Sequence, residues 1–332
     1  MIRYLAHRVL MMVPTLLVIS VLVFAVIQMP PGDYLETYIA ELQAQGESAD
    51  SEKIAFLREQ YGLDLPFHQQ YANWMFGLLQ GDLGFSFEHE LPVSEVVGDR
   101  IWLSIVLALT TTLFVYIVSF PIGVYSAVKQ YSIGDYSFTL LGYLGLSVPN
   151  FLFGLVLMYS ANVYFGTSIG GLMDSEYVDA PLSWGKFLSV LEHIWIPVVI
   201  IGTSGTAGMI RRLRANVLDE LQRQYVLTAR AKGVPPFKLL AKYPLRLSLN
   251  PFIADIGMIL PEMISGAVLV SVVLDLPTTG PMLVKALQSQ DMFLAGSFLM
   301  VEATLVVIGV FLSDLALAAL DPRIRLGAGA TK

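Results

Sequence analysis

Cysteine is absent from this chain of 332 residues, and charge is scarce: Asp, Glu, Lys and Arg together supply 14% of it. Without thiols there is neither a disulfide framework nor a thiolate zinc site, although the same absence says nothing about compartment. So little charge cannot cover the surface of a water-soluble domain of this size. No G-x-x-x-x-G-K-[ST] loop occurs, which excludes ATP hydrolysis by a P-loop of the chain's own. The four histidines, His7, His68, His89 and His193, are scattered, so no metal site is expected, and no hydrolase nucleophile elbow is expected either. What fills the chain is apolar: 55% of residues are hydrophobic and the mean hydropathy is +0.65. A chain of that composition belongs in lipid.

The apolar residues come in runs of bilayer length. After a short lead carrying Arg3 and Arg8, residues 9–29 are uncharged over the ~20 residues that a spanning helix needs. The run is long for a signal peptide and no small-residue cleavage site follows it, so it is expected to stay as the first transmembrane helix. Uncharged runs over 101–128 and 138–165 predict the second and third spans, with Pro121 and Pro149 as kinks. A shorter run over 194–210 predicts the fourth. Its Gly202, Ser204, Gly205 and Gly208 suit close helix packing or the approach of backbone to a pore. Runs over 252–274 and 293–320 complete six spans.

Charge orients them. Residues 30–100 carry 13 acidic and three basic side chains, and residues 166–193 are again acid-biased, with Asp174, Glu176, Asp179 and Glu192 against Lys186. Both are expected outside. The first is too long to be a bare connector, and Trp74, Met75, Phe76, Leu78 and Leu79 offer it an apolar face for a small packed substructure. That substructure either caps the outer mouth or touches a protein that delivers substrate. Residues 211–246 carry nine basic side chains against Asp219 and Glu220, which puts this loop in the cytoplasm. Nucleic acid is the other partner that nine cations suggest, but between two spans they act as a topology determinant and a docking surface. The expected architecture is an all-α membrane protein of a single domain, 1–332. It has six transmembrane helices, a folded extracytoplasmic loop after the first and a cytoplasmic loop over 211–250 between the fourth and fifth, with both termini cytoplasmic.

Within the basic loop, Gln224 to Lys232 reads as a short helix stopped by Gly233 and barred from continuing by Pro235 and Pro236. Ala229, Ala231 and Gly233 carry almost no side chain, so another protein could approach the backbone there. Thr228 to Gly233, TARAKG, resembles the signature cytoplasmic loop, the EAA loop, of the membrane subunits of ABC importers in the form used by the oligopeptide and dipeptide branch. Further segments are similar to that branch, in the same order: the opening RYLAHRVLMMVPTLLVISVLVFAV, PGD at Pro31 to Asp33, Tyr61 to Phe87, Pro92 to Val97, and DPRIR at Asp321 to Arg325. The chain departs from the general pattern at several points. Leu227, Thr228 and Ala229 stand where Glu-Ala-Ala is general, Tyr34 follows PGD where proline is usual, Ser271 replaces an acidic residue, and PTTGP at Pro277 to Pro281 replaces a Trp-Pro-Gly-Leu-Gly turn. These departures look like a sub-branch whose members often carry oligosaccharides or glycosides.

The resemblance implies a permease subunit of an ATP-driven importer in the bacterial cytoplasmic (inner) membrane, itself without enzyme activity or cofactor. Its implied partners are a second related permease subunit, two cytoplasmic ABC ATPases that bind ATP and magnesium, and an extracytoplasmic substrate-binding protein. Thr228, Ala229, Arg230, Ala231, Lys232 and Gly233 would couple to the ATPase. The cargo would be a peptide, or alternatively an oligosaccharide or glycoside. Four carboxyls fall within spans: Asp255 and Glu262, seven apart on one helix face, and Glu302 and Asp314 in the last run. Such groups usually face a bundle interior or water. Asp255, Glu262 and Glu302 are candidate pathway-lining residues, whereas the position of Asp314 suits the inner interface. An ion-coupled carrier working through these carboxyls is the alternative of a different class.

Overall fold

The computed structural model describes residues 2–29, 39, 58, 62, 64–167, 169–178, 180–181, 183–249, 252 and 267–320. The expectations about Pro31 to Asp33, Asp255, Glu262, most of the fifth span and Asp321 to Arg325 lie outside the described residues. In chain order the elements are α1 (Ile2–Gln28), α2 (Phe67–Leu79), β1 (Phe85–Ser86), β2 (Leu91–Pro92), α3 (Val93–Val128), α4 (Ile133–Ser147), α5 (Asn150–Phe165), α6 (Trp184–His193), α7 (Trp195–Leu221), α8 (Gln224–Ala231), α9 (Pro236–Lys242), α10 (Pro244–Ser248), α11 (Thr279–Gln288) and α12 (Met292–Leu320). Residues 267–273 are also helical.

Among the described residues, three helices are long and apolar enough to cross a bilayer: Ala6–Gln28, Val93–Val128 and Met292–Ala316. Two further candidates are bent pairs, α4 with α5 at 94° and α6 with α7 at 46°. The sharper bend has a local cause. Proline disfavours helical geometry in the residue before it, and Val148, ahead of Pro149, takes φ −96° and ψ 122°, which ends α4. Along α1 the large apolar residues are left bare, Leu10 at 67% exposed and Val13 at 62%. In water such a stripe would be a liability; against acyl chains it is solvated.

The chain divides into two compact units, Met1–Trp102 with Pro281–Ile308 and Leu103–Gly280 with Gly309–Lys332. In the first, Phe24 of α1 is buried against an aromatic cluster from α2, with ring centroids 4.9 Å from Phe67, 5.4 Å from Tyr71 and 5.5 Å from Trp74. The Trp74 indole donates to Ser297 Oγ at 3.3 Å, and that hydroxyl donates to Leu83 O at 2.6 Å. Helix α2 therefore packs through a face other than the one drawn from consecutive residues. Tyr71, Trp74 and Leu78 turn inward at helical spacing, whereas Phe76 and Leu79 are exposed. Next comes a short antiparallel hairpin, Phe85 opposite Pro92 and Ser86 opposite Leu91, a small β element among otherwise helical elements in the described residues. Asp291, fully buried, ties it down. One carboxylate oxygen caps α12 by accepting from Leu294 N, and the other accepts from Ser86 Oγ at 2.7 Å and Glu88 N at 3.1 Å. Lys285 pairs with Glu88 at 2.8 Å alongside. Helix α3 starts at Val93, eight residues before the apolar run, because Val93, Val96 and Val97 pack on Met282, Ala286 and Leu294.

In the second unit α7 is the element against which others pack. A Cβ on Gly202 would stand 2.7 Å from Phe114, and one on Gly145 3.0 Å from Thr203, so glycine here serves close helix contact. Gly205 faces Val115, while Gly208 has open space. Ser204 accepts from the Asn150 side-chain amide at 3.1 Å. The helix does not stop where its apolar run stops at Ile210. Met209, Leu213 and Val217, four apart, are buried on one side and carry α7 on to Leu221 with its cations on the other.

Candidate coupling interface

The loop after α7 begins with α8, whose end is closed in a specific way. Gly233 takes φ +78°, Val234 N donates to Ala229 O at 3.2 Å and Gly233 N donates to Arg230 O at 3.0 Å. Those two bonds, with glycine in the left-handed conformation, are a Schellman cap. Its hydrophobic seal is present too, since Val234 packs with Val226, Ala229, Leu239 and Tyr243. Pro236 then opens α9 and Pro244 opens α10, each in the first helical turn, where a missing N–H costs nothing. The product is three short helices folded around Val226, Ala229 and Leu239.

This geometry sorts the six residues of TARAKG. Thr228, Arg230, Ala231, Lys232 and Gly233 are exposed, while Ala229 is buried against Leu239. Ala229 was expected to offer its backbone to a partner; it faces inward because it lies three residues after Val226 on the same side of the helix. The Thr228 hydroxyl donates to Gln224 O at 2.8 Å within its own helix. The sequence reading missed Leu227 of α8 and Phe237 of α9, 43% and 83% exposed. Their signal was available: large apolar residues in a basic loop with no periodic partners. The Tyr225 hydroxyl donates to the Glu220 carboxylate and anchors α8 to the end of α7. Burial and that hydrogen bond push the phenol up to about 12, so it remains a donor at neutral pH. The exposed face thus combines cations, Arg230 and Lys232, with bare apolar side chains on a rigid support.

Of the candidate pathway residues only Glu302 is described; it is half-buried on α12. Asp314, on the same helix, is half-buried as well. A cavity of about 20 Å³ in the second unit, missed from sequence, is lined by Ser104, Thr111, Ser271, Thr278 and Thr279. Ser104 and Thr279 hydroxyls lie 3.0 Å apart, and the volume suits a single water. Among the described residues no cluster of His, Asp and Glu could hold a metal. The pentapeptide Gly166-Thr167-Ser168-Ile169-Gly170 does have the G-x-S-x-G spacing, against the expectation that no such elbow occurs. Its setting is a helix end: Gly166, at φ +63°, caps α5 by donating to Asn162 O. A nucleophile elbow needs a strand running into a helix, so the spacing is incidental.

Long apolar helices followed by a compact, basic loop suit a membrane protein, and comparison with known families gives its class as the membrane component of a transport system. Residues 119–326 match the model of the binding-protein-dependent transport system inner membrane component, and residues 1–110 match that of the N-terminal part of such membrane components. The chain belongs to the oligopeptide and dipeptide family of ABC importer permeases. It is 34% identical to the oligopeptide transport system permease protein AppB of Bacillus subtilis (strain 168), over 98% of this chain and 99% of that one. It is 30% identical to the dipeptide transport system permease protein DppB of Escherichia coli (strain K12), and 31% identical to the glutathione transport system permease protein GsiC of Salmonella choleraesuis (strain SC-B67), with 98% of this chain and 99% of the relative covered in both cases.

Proposed function

We propose that this chain forms half of the translocation pathway of an ATP-driven importer of peptides. It crosses the inner membrane six times with both termini in the cytoplasm and pairs with a second, related permease. An extracytoplasmic binding protein hands over the cargo, and two cytoplasmic ATPases, which bind ATP and magnesium, drive the cycle. The observation that carries this reading is the Schellman-closed helix α8, a knob with Leu227, Arg230 and Ala231 exposed, beside which Phe237 of α9 is exposed as well. A knob of that kind transmits displacement because its support does not yield: ATPase closure moves α8, and Tyr225 and Glu220 carry the movement into α7. Alternating access then needs only a shift between two packings of the bundle, with the loop docked in both. The relatives named for oligopeptide, dipeptide and glutathione transport support a peptide cargo over an oligosaccharide.

The test is a reconstitution of the complete complex in proteoliposomes. Arg230→Glu and Ala231→Leu, both on the exposed side of α8, are expected to lower uptake and substrate-stimulated ATP hydrolysis together by about tenfold or more, equivalent to ~1.4 kcal/mol of coupling, while thermal stability is retained. Unchanged coupling in both variants would overturn the docking role. Uptake by the permease without ATPases would instead favour an ion-coupled carrier.

A further inference from the structure

The second unit holds a larger cavity, of about 220 Å³, between α4 and α7. A water occupies ~30 Å³ in the liquid, so this space is far beyond what one bound water explains. Its lining is mixed: Phe138, Leu146 and Ile210 are apolar, and Tyr131, Asp135, Tyr136, Tyr143, Arg211 and Arg214 are polar. The cavity lies where both helices meet charge, since Arg211 directly follows the apolar run of α7 and Asp135 precedes that of α4. Tyrosine and arginine side chains are favoured at that depth of a bilayer.

The electrostatics leave one cation over. Arg214 donates from Nε to Asp135 Oδ1 and from Nη2 to Asp135 Oδ2, both at 2.8 Å, and Asp135 is 2% exposed. That pair is neutral as a unit, and it pins the guanidinium while using two of its five N–H donors. Arg211 lies on the same face, three residues earlier, and forms no ion pair among the described residues. An uncompensated positive charge among the described residues, spare guanidinium donors, tyrosine side chains and apolar side chains in the lining of one cavity are complementary to one phosphate monoanion carrying hydrocarbon.

We propose that this cavity is a site for an anionic phospholipid of the cytoplasmic leaflet, its phosphate held by Arg211 and Arg214 and its acyl chains beside Phe138, Leu146 and Ile210. Clusters of basic side chains between helices on the cytoplasmic side are suited to such headgroups. The site is separate from the exposed face of α8, so its test does not depend on coupling.

The experiment is native mass spectrometry of the purified complex, with phosphatidylglycerol, phosphatidylcholine and inorganic phosphate added in separate titrations. The wild type is expected to retain phosphatidylglycerol in preference to phosphatidylcholine. Arg211→Gln should weaken that retention about tenfold, Arg211→Lys should keep most of it, and Arg223→Gln, a cation outside the cavity, should leave it unchanged. Thr139→Trp, which fills the cavity without touching its charge, should abolish it. Equal retention of the two lipids, or no effect of either Arg211→Gln or Thr139→Trp, would overturn the proposal. So would Arg211-dependent binding of inorganic phosphate without lipid, or a crosslink from Tyr136→Cys to the companion permease.

Discussion

At the scale of single residues, the energetic weight lies in side chains whose partners are far away in sequence. Asp135 and Arg214 are 79 residues apart, yet they form a bidentate ion pair with both contacts at 2.8 Å. The hydrogen bonds from Arg214 hold the Asp135 carboxyl below the usual carboxylate range. Its contribution to stability is therefore complete above the unfolded aspartate value of ~3.9 and is lost as pH falls through the lower folded value. Asp135→Asn strands a guanidinium and is expected to cost on the order of 3 kcal/mol at neutral pH. Thermal unfolding of detergent-purified protein from pH 7 downward checks this: the variant should lack the acid-dependent step of the wild type. Ala229 and Ala231 make a second residue-level contrast. Ala229→Leu overpacks the space beside Leu239 and should destabilise by about 1–3 kcal/mol, whereas Ala231→Leu, on the exposed side, should leave the melting temperature unchanged and impair ATPase coupling.

At the scale of elements, helix ends do much of the organising. The hairpin β1–β2 has only two residues in each strand and could not hold itself together. It is kept by Asp291, a helix cap that also accepts from Ser86 and Glu88. Asp291→Ala removes the cap and leaves those donors without an acceptor, at a cost on the order of 1–3 kcal/mol. Limited proteolysis should then cut the hairpin near Glu88 to Glu90 in the variant and not in the wild type. Helix α7 shows the converse. Its start, an apolar stretch, was legible from hydropathy, but its continuation to Leu221 was not. The buried stripe of Met209, Leu213 and Val217 is interleaved with arginines, and only neighbouring elements reveal which side is covered. The short helix α8 was readable because glycine and proline mark its end; the inward turn of Ala229 was not, because it rests on contact with α9.

For the whole molecule, the absence of cysteine makes the topology directly measurable. A single cysteine at Ala231 is expected to react with a membrane-impermeant thiol reagent only from the cytoplasmic side, and one at Gln80 only from the outside. Both labelled from one side would invalidate the orientation drawn from the acidic and basic loops. The same experiment fixes the side of the membrane on which α8 stands, and with it the side on which an ATPase can dock.

Much about this protein follows from its sequence by itself: an apolar character that belongs in lipid, apolar runs of bilayer length, the contrast in charge between its loops and the short helix that Gly233 ends. These properties are one-dimensional, because a bilayer demands about 20 apolar residues per crossing and sorts loops by charge, whatever their neighbours. The tertiary structure alone decided that Ala229 is buried beneath α8 while Leu227 and Phe237 are exposed. It also decided that Asp291 ties a hairpin to a helix end and that Arg214 is neutralised while Arg211 is left unpaired among the described residues. Each of these depends on residues distant along the chain meeting in space, and neither periodicity nor composition encodes which of them meet.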